Sequence, residues 1–376
     1  MAVALGQGGC PAMILHLYIA RHFLRALVIV TAVFVAILLP VDIGEHLISI
    51  GATQGLGPVI ELALLNLPGS LYNMIPLFVL LASLLLFLGL SRTSELVVVR
   101  ASGRSALRAI AAPAIVAVLV GTAVVAVLNP IVAITKQTYD TRTVQYRGGE
   151  VRTVSVTPEG LWMRQGTTVE QTVIRAGSSN ADGTHLFDVS FFQFGPGNLI
   201  TARVNAAEAR LIDGAWDLRD VRRWPLDQTQ NPEATVERYE TLTLSSTLTR
   251  QQIQDSFGMS DRVPIFELPK LIAQLRQAGI AALQHRVWFQ MELSAPLLLA
   301  AMVLIGSSVV VQHDRMGRTG VKVLIAILLG FVLFFIRSFA QVLGENGQLA
   351  IVFVAWVPPL SAILLGIGLI LYQEDG

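Results

Sequence analysis

The sequence predicts an α-helical membrane protein with six transmembrane helices, split three and three around an inserted all-β, jellyroll-like domain. Three observations predict this class. The chain of 376 residues is 53% hydrophobic and only 14% charged, whereas soluble domains average about 25% charged residues. Its apolar residues fall into long blocks. A stretch of ordinary polarity, residues 136–286, separates these blocks into two groups.

Six blocks are candidates for crossing a bilayer, for which a helix needs roughly 20 mostly apolar residues. They cover residues 26–41, 62–91, 109–135, 293–312, 323–343 and 346–373. The first can be extended back over Phe23 and Leu24. No clean small-residue cleavage site follows it, so we expect an uncleaved first span rather than a signal peptide.

Lysine and arginine concentrate on alternate loops, and these residues favour the cytoplasmic side of a membrane. They precede the first span and occupy the loops after the second and the fourth. The residues are Arg21, Arg25, Arg92, Arg100, Arg104, Arg108, Arg315, Arg318 and Lys322. The short loops on the other side have neither residue type. This distribution predicts cytoplasmic N- and C-termini and a periplasmic central domain in the inner membrane of a bacterium.

The central stretch is typical of β structure, because short runs of β-branched and aromatic residues alternate with turn signals such as Asp213-Gly214. This spacing predicts a sandwich or jelly roll. The expected strands cover residues 168–175, 186–194, 199–207, 209–218 and 239–244. A connecting helix is expected at about 264–278, with Pro269 in its first turn. The predicted domains are therefore 1–135 with the first three spans, 136–285 with the β-domain and connecting helix, and 286–376 with the last three spans.

Several classes of site are disfavoured by what the sequence lacks. The patterns G-x-x-x-x-G-K-[ST], H-E-x-x-H and G-x-S-x-G do not occur. The one cysteine is Cys10, and the six histidines are scattered without metal-ligand spacing. We therefore expect no catalytic residues, no metal and no cofactor. The net charge of +1 gives no sign of a nucleic-acid partner.

The loop after the second span is the most informative motif. It reads SELVVVRASG over residues 94–103, and we expect a short amphipathic helix at about 92–105. Ser94 can cap it, Glu95 lies in its first turn, and Leu96, Val98 and Val99 form an apolar face. Such a helix suits a groove on a partner protein. The alternative is a solvated connector between two spans.

This motif is similar to the coupling helix of the LptF/LptG permeases, and the order of spans and β-domain along the whole chain resembles that family. Gly160-Leu161-Trp162 and Pro296-Leu297 resemble LptG more than LptF. The resemblance implies a permease subunit of an ABC transporter. It would extract lipopolysaccharide from the outer leaflet of the inner membrane and pass it to a periplasmic bridge.

The resemblance also implies partners. These are an LptB-like cytoplasmic ATPase dimer, an LptF-like paired permease, and LptC-like and LptA-like bridge proteins. ATP hydrolysis would belong to the separate ATPase, so the chain itself would not be an enzyme. Glu95 is expected to contact the ATPase, with Leu96, Val99 and Arg100 as neighbours.

Charged residues at the end of the first span and within the fifth span are candidates for the substrate path. LptG proteins carry basic residues after the first span, but this chain has Asp42, Glu45 and His46 there, and these three residues are candidates for contact with the substrate. We expect Arg337, inside the fifth span, to meet a lipid phosphate or carboxylate. The alternatives are an ion pair with Asp42 or Glu45, or snorkelling of Arg337 to the interface. Glu292, near the end of the fourth span, is expected to be interfacial.

Three aromatic residues of the β-domain are candidates for shielding acyl chains: Phe187, Phe191 and Trp216. They could equally fill an ordinary sandwich core. Other function classes remain open at this stage. One is an ABC-type mechanotransmission subunit without a substrate path of its own, although its usual plan has four spans. Ion-coupled secondary transport would use midplane charges, for which Arg337 is the one candidate. A membrane hydrolase is disfavoured by the missing motifs.

Overall fold

The fold is seen in a computed structural model, which falls into two compact units. One comprises residues 1–136 and 287–376, and the other comprises residues 137–286. The structure describes residues 10–51, 54–93, 95, 106–146, 154–157, 160–166, 171–180, 183–195, 197, 199–226, 235–246, 248, 262–277, 282–310 and 319–375.

Long helices make up the first unit, and the short helix α5 belongs to the second unit. In the described ranges the α-helices are α1 (Cys10–His46), α2 (Leu56–Arg92), α3 (Ala106–Ala123), α4 (Asn129–Tyr146), α5 (Leu268–Gln277), α6 (Leu283–Val310), α7 (Thr319–Glu345) and α8 (Ile351–Asp375). All but α5 contribute to six segments that are long and apolar enough to span a membrane. The predicted six helical spans are confirmed.

Two short π-helical segments interrupt the spans. Leu47–Gly51 follows α1, and Val124–Leu128 joins α3 to α4 in the third span. Pro130 lies just inside α4 and has no N–H for the helical hydrogen bond. Single π turns inside longer helices are frequently found at functional sites. The π segment of the third span therefore draws attention to Asn129, the residue that follows it.

Small residues allow the spans to pack closely. A Cβ atom added to Gly121 would lie 2.7 Å from the Cα atom of Pro296, and one added to Gly366 would lie 2.8 Å from the Cβ atom of Leu304. Close helix contacts of this kind are typical of membrane bundles, where association depends on van der Waals packing. Gly121 and Pro296 thus mark the crossing of the third and fourth spans.

The second unit is built on one antiparallel sheet. Its described strands are β1 (Val154–Thr157), β2 (Gly160–Gly166), β3 (Gln171–Ser179), β4 (His185–Phe194), β5 (Ile200–Ile212), β6 (Ala215–Pro225) and β7 (Glu237–Ser245). The strands pair in sequence order from β1 to β7. The inserted all-β domain is confirmed. The jellyroll character of this domain is not confirmed, because the described strands pair in the order of a meander.

Two predicted strand boundaries are wrong. The sequence suggested separate strands at 199–207 and 209–218, but β5 continues through Glu208 and ends at Ile212. The chain turns at Asp213-Gly214, where Gly214 adopts a φ of 75° that favours glycine. The turn signal was present in the sequence, and the predicted strand 209–218 ran across it.

A crease crosses the middle of this sheet. Asp188 in β4 and Asp220 in β6 have φ values of 50° and 51°, in the left-handed region. Both ladders with β5 skip Ala207, the position opposite these two residues. In β6 the buried side chains change from even positions, Trp216 and Leu218, to an odd position, Val221. At the crease, the positions whose side chains are buried therefore shift by one residue along the strand. Both halves of each strand can thus contribute side chains to the same core.

That core is capped by α5. Its partly buried Leu271 and Ile272 and its buried Leu275 pack against the sheet residues. Pro269 is the second residue of the helix, where the missing N–H costs nothing. An ion pair of 2.9 Å between Arg262 and Asp140 joins the chain before α5 to α4 within this unit.

Candidate functional site

A buried polar cluster lies among the helices of the first unit. The hydroxyl group of Tyr72, in α2, donates a hydrogen bond to Oε2 of Glu292, in α6. The side-chain amide of Asn129, at the start of α4, donates to the Tyr72 hydroxyl oxygen at 3.3 Å. Glu292 is only 2% exposed and Asn129 is also buried. A buried carboxylate is costly unless it is paired, so the network accounts for the tolerance of this charge.

Arg337 of α7 completes the cluster. Its guanidinium group interacts electrostatically with Glu292 and with Tyr72. Arg337 as a residue is partly exposed. The cluster thus combines an arginine and a carboxyl group on two spans, with Tyr72 and Asn129 contributed by two others.

The electrostatic environment of Arg337 includes Glu292, and Asp42 and Glu45 do not contribute to it. Glu292 is enclosed within the first unit and hydrogen-bonded there. The sequence signal that could have found it was an acid inside an otherwise apolar span, since such residues mark functional sites.

Prolines accompany each hydrogen-bonded member of the cluster. Pro76 lies four residues after Tyr72, and Pro296 lies four residues after Glu292. Because proline has no N–H, the carbonyl groups of Tyr72 and Glu292 lose their normal helical partner. Prolines at such positions kink helices. Together with the π segment before Asn129, a proline or a π turn therefore lies within four residues of each of these three side chains.

The acidic stretch at the end of α1 is arranged differently. Asp42 is buried, and its Oδ1 accepts a hydrogen bond of 3.3 Å from the side-chain amide of Asn66. His46 is buried, with Nδ1 at 2.7 Å from the carbonyl oxygen of Asp42. Glu45 is exposed. The stretch provides no fixed positive charge, so among these residues and Arg337 only the arginine is a permanent cation.

A comparison with known protein families identifies the family of this chain. A family model described as lipopolysaccharide export system permease LptF/LptG matches residues 17–373. The chain belongs to the LptF/LptG family. The match extends over all six spans and the inserted sheet. The protein is therefore a membrane protein and a permease of the lipopolysaccharide export type. No curated protein matches the chain.

The structure places the predicted coupling residues of this LptF/LptG-family permease only in part. Glu95 is described, and its Oε1 lies 3.5 Å from the hydroxyl group of Tyr18, near the beginning of α1. Leu96, Val99 and Arg100 lie outside the described residues. The contact connects the loop after the second span with the first span, a link that the sequence did not suggest.

Two of the three aromatic candidates in the permease's β-domain lie together. Phe191 and Trp216 are fully buried, with ring centroids 6.2 Å apart in an edge-on arrangement. Phe187 is separate: it is 37% exposed and lies against the ring of His185 at 4.6 Å. Phe191 and Trp216 thus belong to the core of the sheet, and Phe187 is accessible for contact with a ligand.

The membrane cluster provides groups that can bind an anion. Within the described ranges, no group of three His, Cys, Asp or Glu side chains could hold a metal ion. The membrane cluster instead offers a guanidinium group, which can form several hydrogen bonds to a phosphate or carboxylate. An arginine beside apolar helix surfaces suits a ligand that is both anionic and lipidic.

Proposed function

We propose that this chain is the LptG-type permease subunit of an ABC exporter that extracts lipopolysaccharide from the outer leaflet of the bacterial inner membrane. It then passes the lipid toward the outer membrane through a periplasmic bridge. The observation that carries the proposal is the family match over residues 17–373. The LptG type rests on Gly160-Leu161-Trp162 and Pro296-Leu297, which the match does not distinguish from LptF.

The orientation of the chain follows from its charges. With cytoplasmic N- and C-termini, the arginine-rich loops lie in the cytoplasm and the β-domain lies in the periplasm. Residues 1–135 then form the first three spans with the coupling helix at about 92–105. Residues 136–285 form the periplasmic domain with its connecting helix, and residues 286–376 form the last three spans.

Substrate contact is assigned to Arg337. Its guanidinium group lies in the electrostatic environment of the buried Glu292 carboxyl group, and an arginine within a span requires a partner of opposite charge. The phosphate or carboxylate groups of the lipopolysaccharide headgroup supply such a partner. Asp42, Glu45 and His46 would shape the neighbouring end of the first span without attracting the anion.

Passage through the periplasmic domain would use the exposed side of the sheet that carries Phe187. Phe187 is the aromatic residue of the three that a lipid can reach, since it is the exposed one. Phe191 and Trp216 would stabilise the core of the sheet and would not contact acyl chains. LptC-like and LptA-like partners would receive the lipid.

The energy for extraction would come from an LptB-like ATPase dimer, because the chain itself has no nucleotide-binding motif. Glu95, with Leu96, Val99 and Arg100, would contact this ATPase, and an LptF-like permease would complete the membrane cavity. The Tyr18–Glu95 contact supports a path by which closure of the ATPase reaches the first span as well as the second and third.

Reconstitution tests the proposal. The chain is inserted into proteoliposomes with its paired permease, the ATPase and lipopolysaccharide, and transfer of lipid to a soluble bridge protein is measured. We expect transfer that depends on ATP and stops with Glu95→Ala. ATP hydrolysis that depends on the chain but moves no lipid would contradict the proposal and favour a mechanotransmission subunit.

A further inference from the structure

We propose that the outer face of the β-sheet carries a binding site for the phosphorylated saccharide of the exported lipid, built on Arg203, Arg222 and Arg238. These three residues, together with Phe192 and Trp224, form what we call the arginine face. The inference rests on the proposed function, because it takes the ligand that passes this domain to be lipopolysaccharide. It deepens that function by giving the polar part of the lipid a contact in the β-domain.

The arginine face is turned away from the core of the sheet. In β5 and β6, the buried Val204 and Val221 belong to that core. Their neighbours along the chain, Arg203 and Arg222, are exposed. Because successive side chains of a strand point to opposite faces, the arginines lie on the outer face, where a ligand can reach them.

Arg203 is held between two aromatic rings on neighbouring strands. It lies opposite Phe192 of β4 and Trp224 of β6, and its guanidinium carbon is 5.6 Å from the centroid of each ring. Its Nε donates a hydrogen bond of 3.1 Å to Oδ1 of Asn205. No other described residue forms a hydrogen bond with Arg203, so both terminal nitrogens remain for a ligand. A guanidinium group held in this way loses little freedom when it binds.

Two further arginines lie side by side on the same face. Arg222 of β6 is directly opposite Arg238 of β7, and both are exposed. Opposite residues of an antiparallel pair have Cβ atoms about 4.5–5.5 Å apart, and like charges at this distance destabilise a sheet. Arg203 is on the diagonal from Arg222, at about 7–8 Å. An anion bound between these guanidinium groups would remove their repulsion.

Acidic residues near the arginine face are not paired with it. Asp220 and Glu240 lie two residues along the strands from Arg222 and Arg238, and the ladder between β6 and β7 skips both acidic residues. Among the described residues of the sheet, no ion pair joins either acid to an arginine. The positive charge of the face is therefore available to an external anion.

The composition of this face favours a phosphorylated sugar over a protein partner. Guanidinium groups bind phosphate oxygens through parallel N–H bonds. The two aromatic rings that hold Arg203 are flat surfaces on which sugar rings can stack. The row of residues through Arg222 continues to Asn205 and Ser190, which can bond sugar hydroxyl groups. A protein interface would need an apolar centre, and these positions do not provide one.

The test measures binding of deacylated lipopolysaccharide, a phosphorylated oligosaccharide without acyl chains, to the complete transporter in detergent by isothermal titration calorimetry. Arg222→Gln removes one charge and keeps a polar side chain. We expect roughly five- to tenfold weaker binding, as for the loss of a charge-assisted hydrogen bond at an exposed site. Arg203→Lys keeps the charge but loses the planar fork, so we expect a smaller loss of affinity.

Arg210→Gln is the matched control, because Arg210 is exposed on the same sheet but lies opposite Asp217. It should change the affinity by less than about twofold. The melting temperature separates binding from structural damage. Since Arg222→Gln relieves a like-charge pair, its melting temperature should be unchanged or higher while its affinity falls. Oligosaccharide treated with phosphatase should bind more weakly and should not distinguish Arg222→Gln from the unmodified chain.

Several outcomes would overturn the inference. Equal affinities of Arg222→Gln and Arg210→Gln would do so, as would an effect of Arg222→Gln that persists with the dephosphorylated oligosaccharide. Loss of the paired permease from the Arg222→Gln complex, with unchanged oligosaccharide affinity, would identify a protein interface instead. Should Arg222→Gln fail to assemble, Arg203→Lys decides by the same comparison with Arg210→Gln.

ATP-dependent lipid transfer, measured in parallel on the unmodified transporter, separates the inference from the proposed function. If no lipid is transferred, the proposed function is refuted and the arginine face loses its ligand. If lipid is transferred but the variants do not change the oligosaccharide affinity, only the arginine face is refuted.

Discussion

The Tyr72 hydroxyl group hydrogen-bonds the Glu292 carboxylate across two helices, and each of these residues lies four positions before a proline. This relationship connects a buried carboxyl group with two prolines, at which helices commonly kink. The cluster should therefore contribute both to the stability of the bundle and to its movements.

Removing the acceptor should destabilise the bundle. We expect Glu292→Ala to lower the free energy of unfolding by about 1–3 kcal/mol, because the Tyr72 hydroxyl group would be left as a buried donor without its acceptor. Thermal unfolding of the purified chain in detergent measures the change. Glu345→Ala is the control and should cost under about 0.5 kcal/mol, as for most less buried positions. Equal costs for the two variants would show that the Glu292 network is not a stabilising feature.

Close packing in α8 provides a second test, with an internal control. A methyl group at Gly366 would lie 2.8 Å from the Cβ atom of Leu304, whereas one at Gly368 meets nothing within 4 Å. We expect Gly366→Ala to cost about 1–3 kcal/mol from overpacking. Gly368→Ala, two residues away on the same helix, should be neutral or stabilising by up to about 1 kcal/mol. The melting temperatures of the two variants check this directly, and the reverse order would refute the close contact.

The positive φ of Asp220 in the crease predicts which substitutions this position tolerates. Its φ of 51° favours glycine or asparagine and disfavours β-branched residues. We expect Asp220→Gly to be tolerated and Asp220→Val to destabilise the sheet by about 1–2 kcal/mol. Hydrogen exchange of the β5 and β6 amides in the full chain measures the effect. A valine variant with unchanged protection would show that this backbone conformation is not required.

The loop contact near Glu95 predicts two different consequences. Glu95→Ala should abolish ATPase-dependent lipid transfer if Glu95 contacts the ATPase. Tyr18→Phe should change transfer by less than roughly twofold, because an exposed hydrogen bond of 3.5 Å contributes little. Transfer rates of the two reconstituted variants distinguish these cases. A loss with Tyr18→Phe as large as with Glu95→Ala would instead make the Tyr18 contact essential to coupling.

The spans and the inserted sheet could be predicted because apolar blocks and alternating strands are visible in local sequence. The position of Glu292 could not, since a span that is apolar on every side does not show which face is turned inward. Arg337 was recognised as exceptional because it is an ionisable residue within a span. Glu292 is also an ionisable residue within a span and should have been recognised for the same reason. Tyr72 and Asn129 are uncharged residues that acquire their role only when distant helices bring them together.

Strand boundaries in the β-domain also could not be predicted from local sequence alone. The turn at Asp213-Gly214 was readable from its residue types, yet the strand boundaries around it were misplaced, since β5 continues through Glu208 to Ile212. Its neighbour Ala207 lies on the crease, where the alternation of buried and exposed positions reverses. A pattern search that assumes strict alternation fails at such a point.

The most direct test of the central claim is photocrosslinking in cells, with a probe at position 337 and detection of lipopolysaccharide adducts. The control probe is at Val321, which is 56% exposed and lies on the same helix near its other end. The account predicts an adduct at 337 that depends on ATP hydrolysis by the partner ATPase, and none at 321. No adduct at 337, in cells where Glu95→Ala still blocks growth, would contradict a substrate path at Arg337 while leaving the coupling to the ATPase intact.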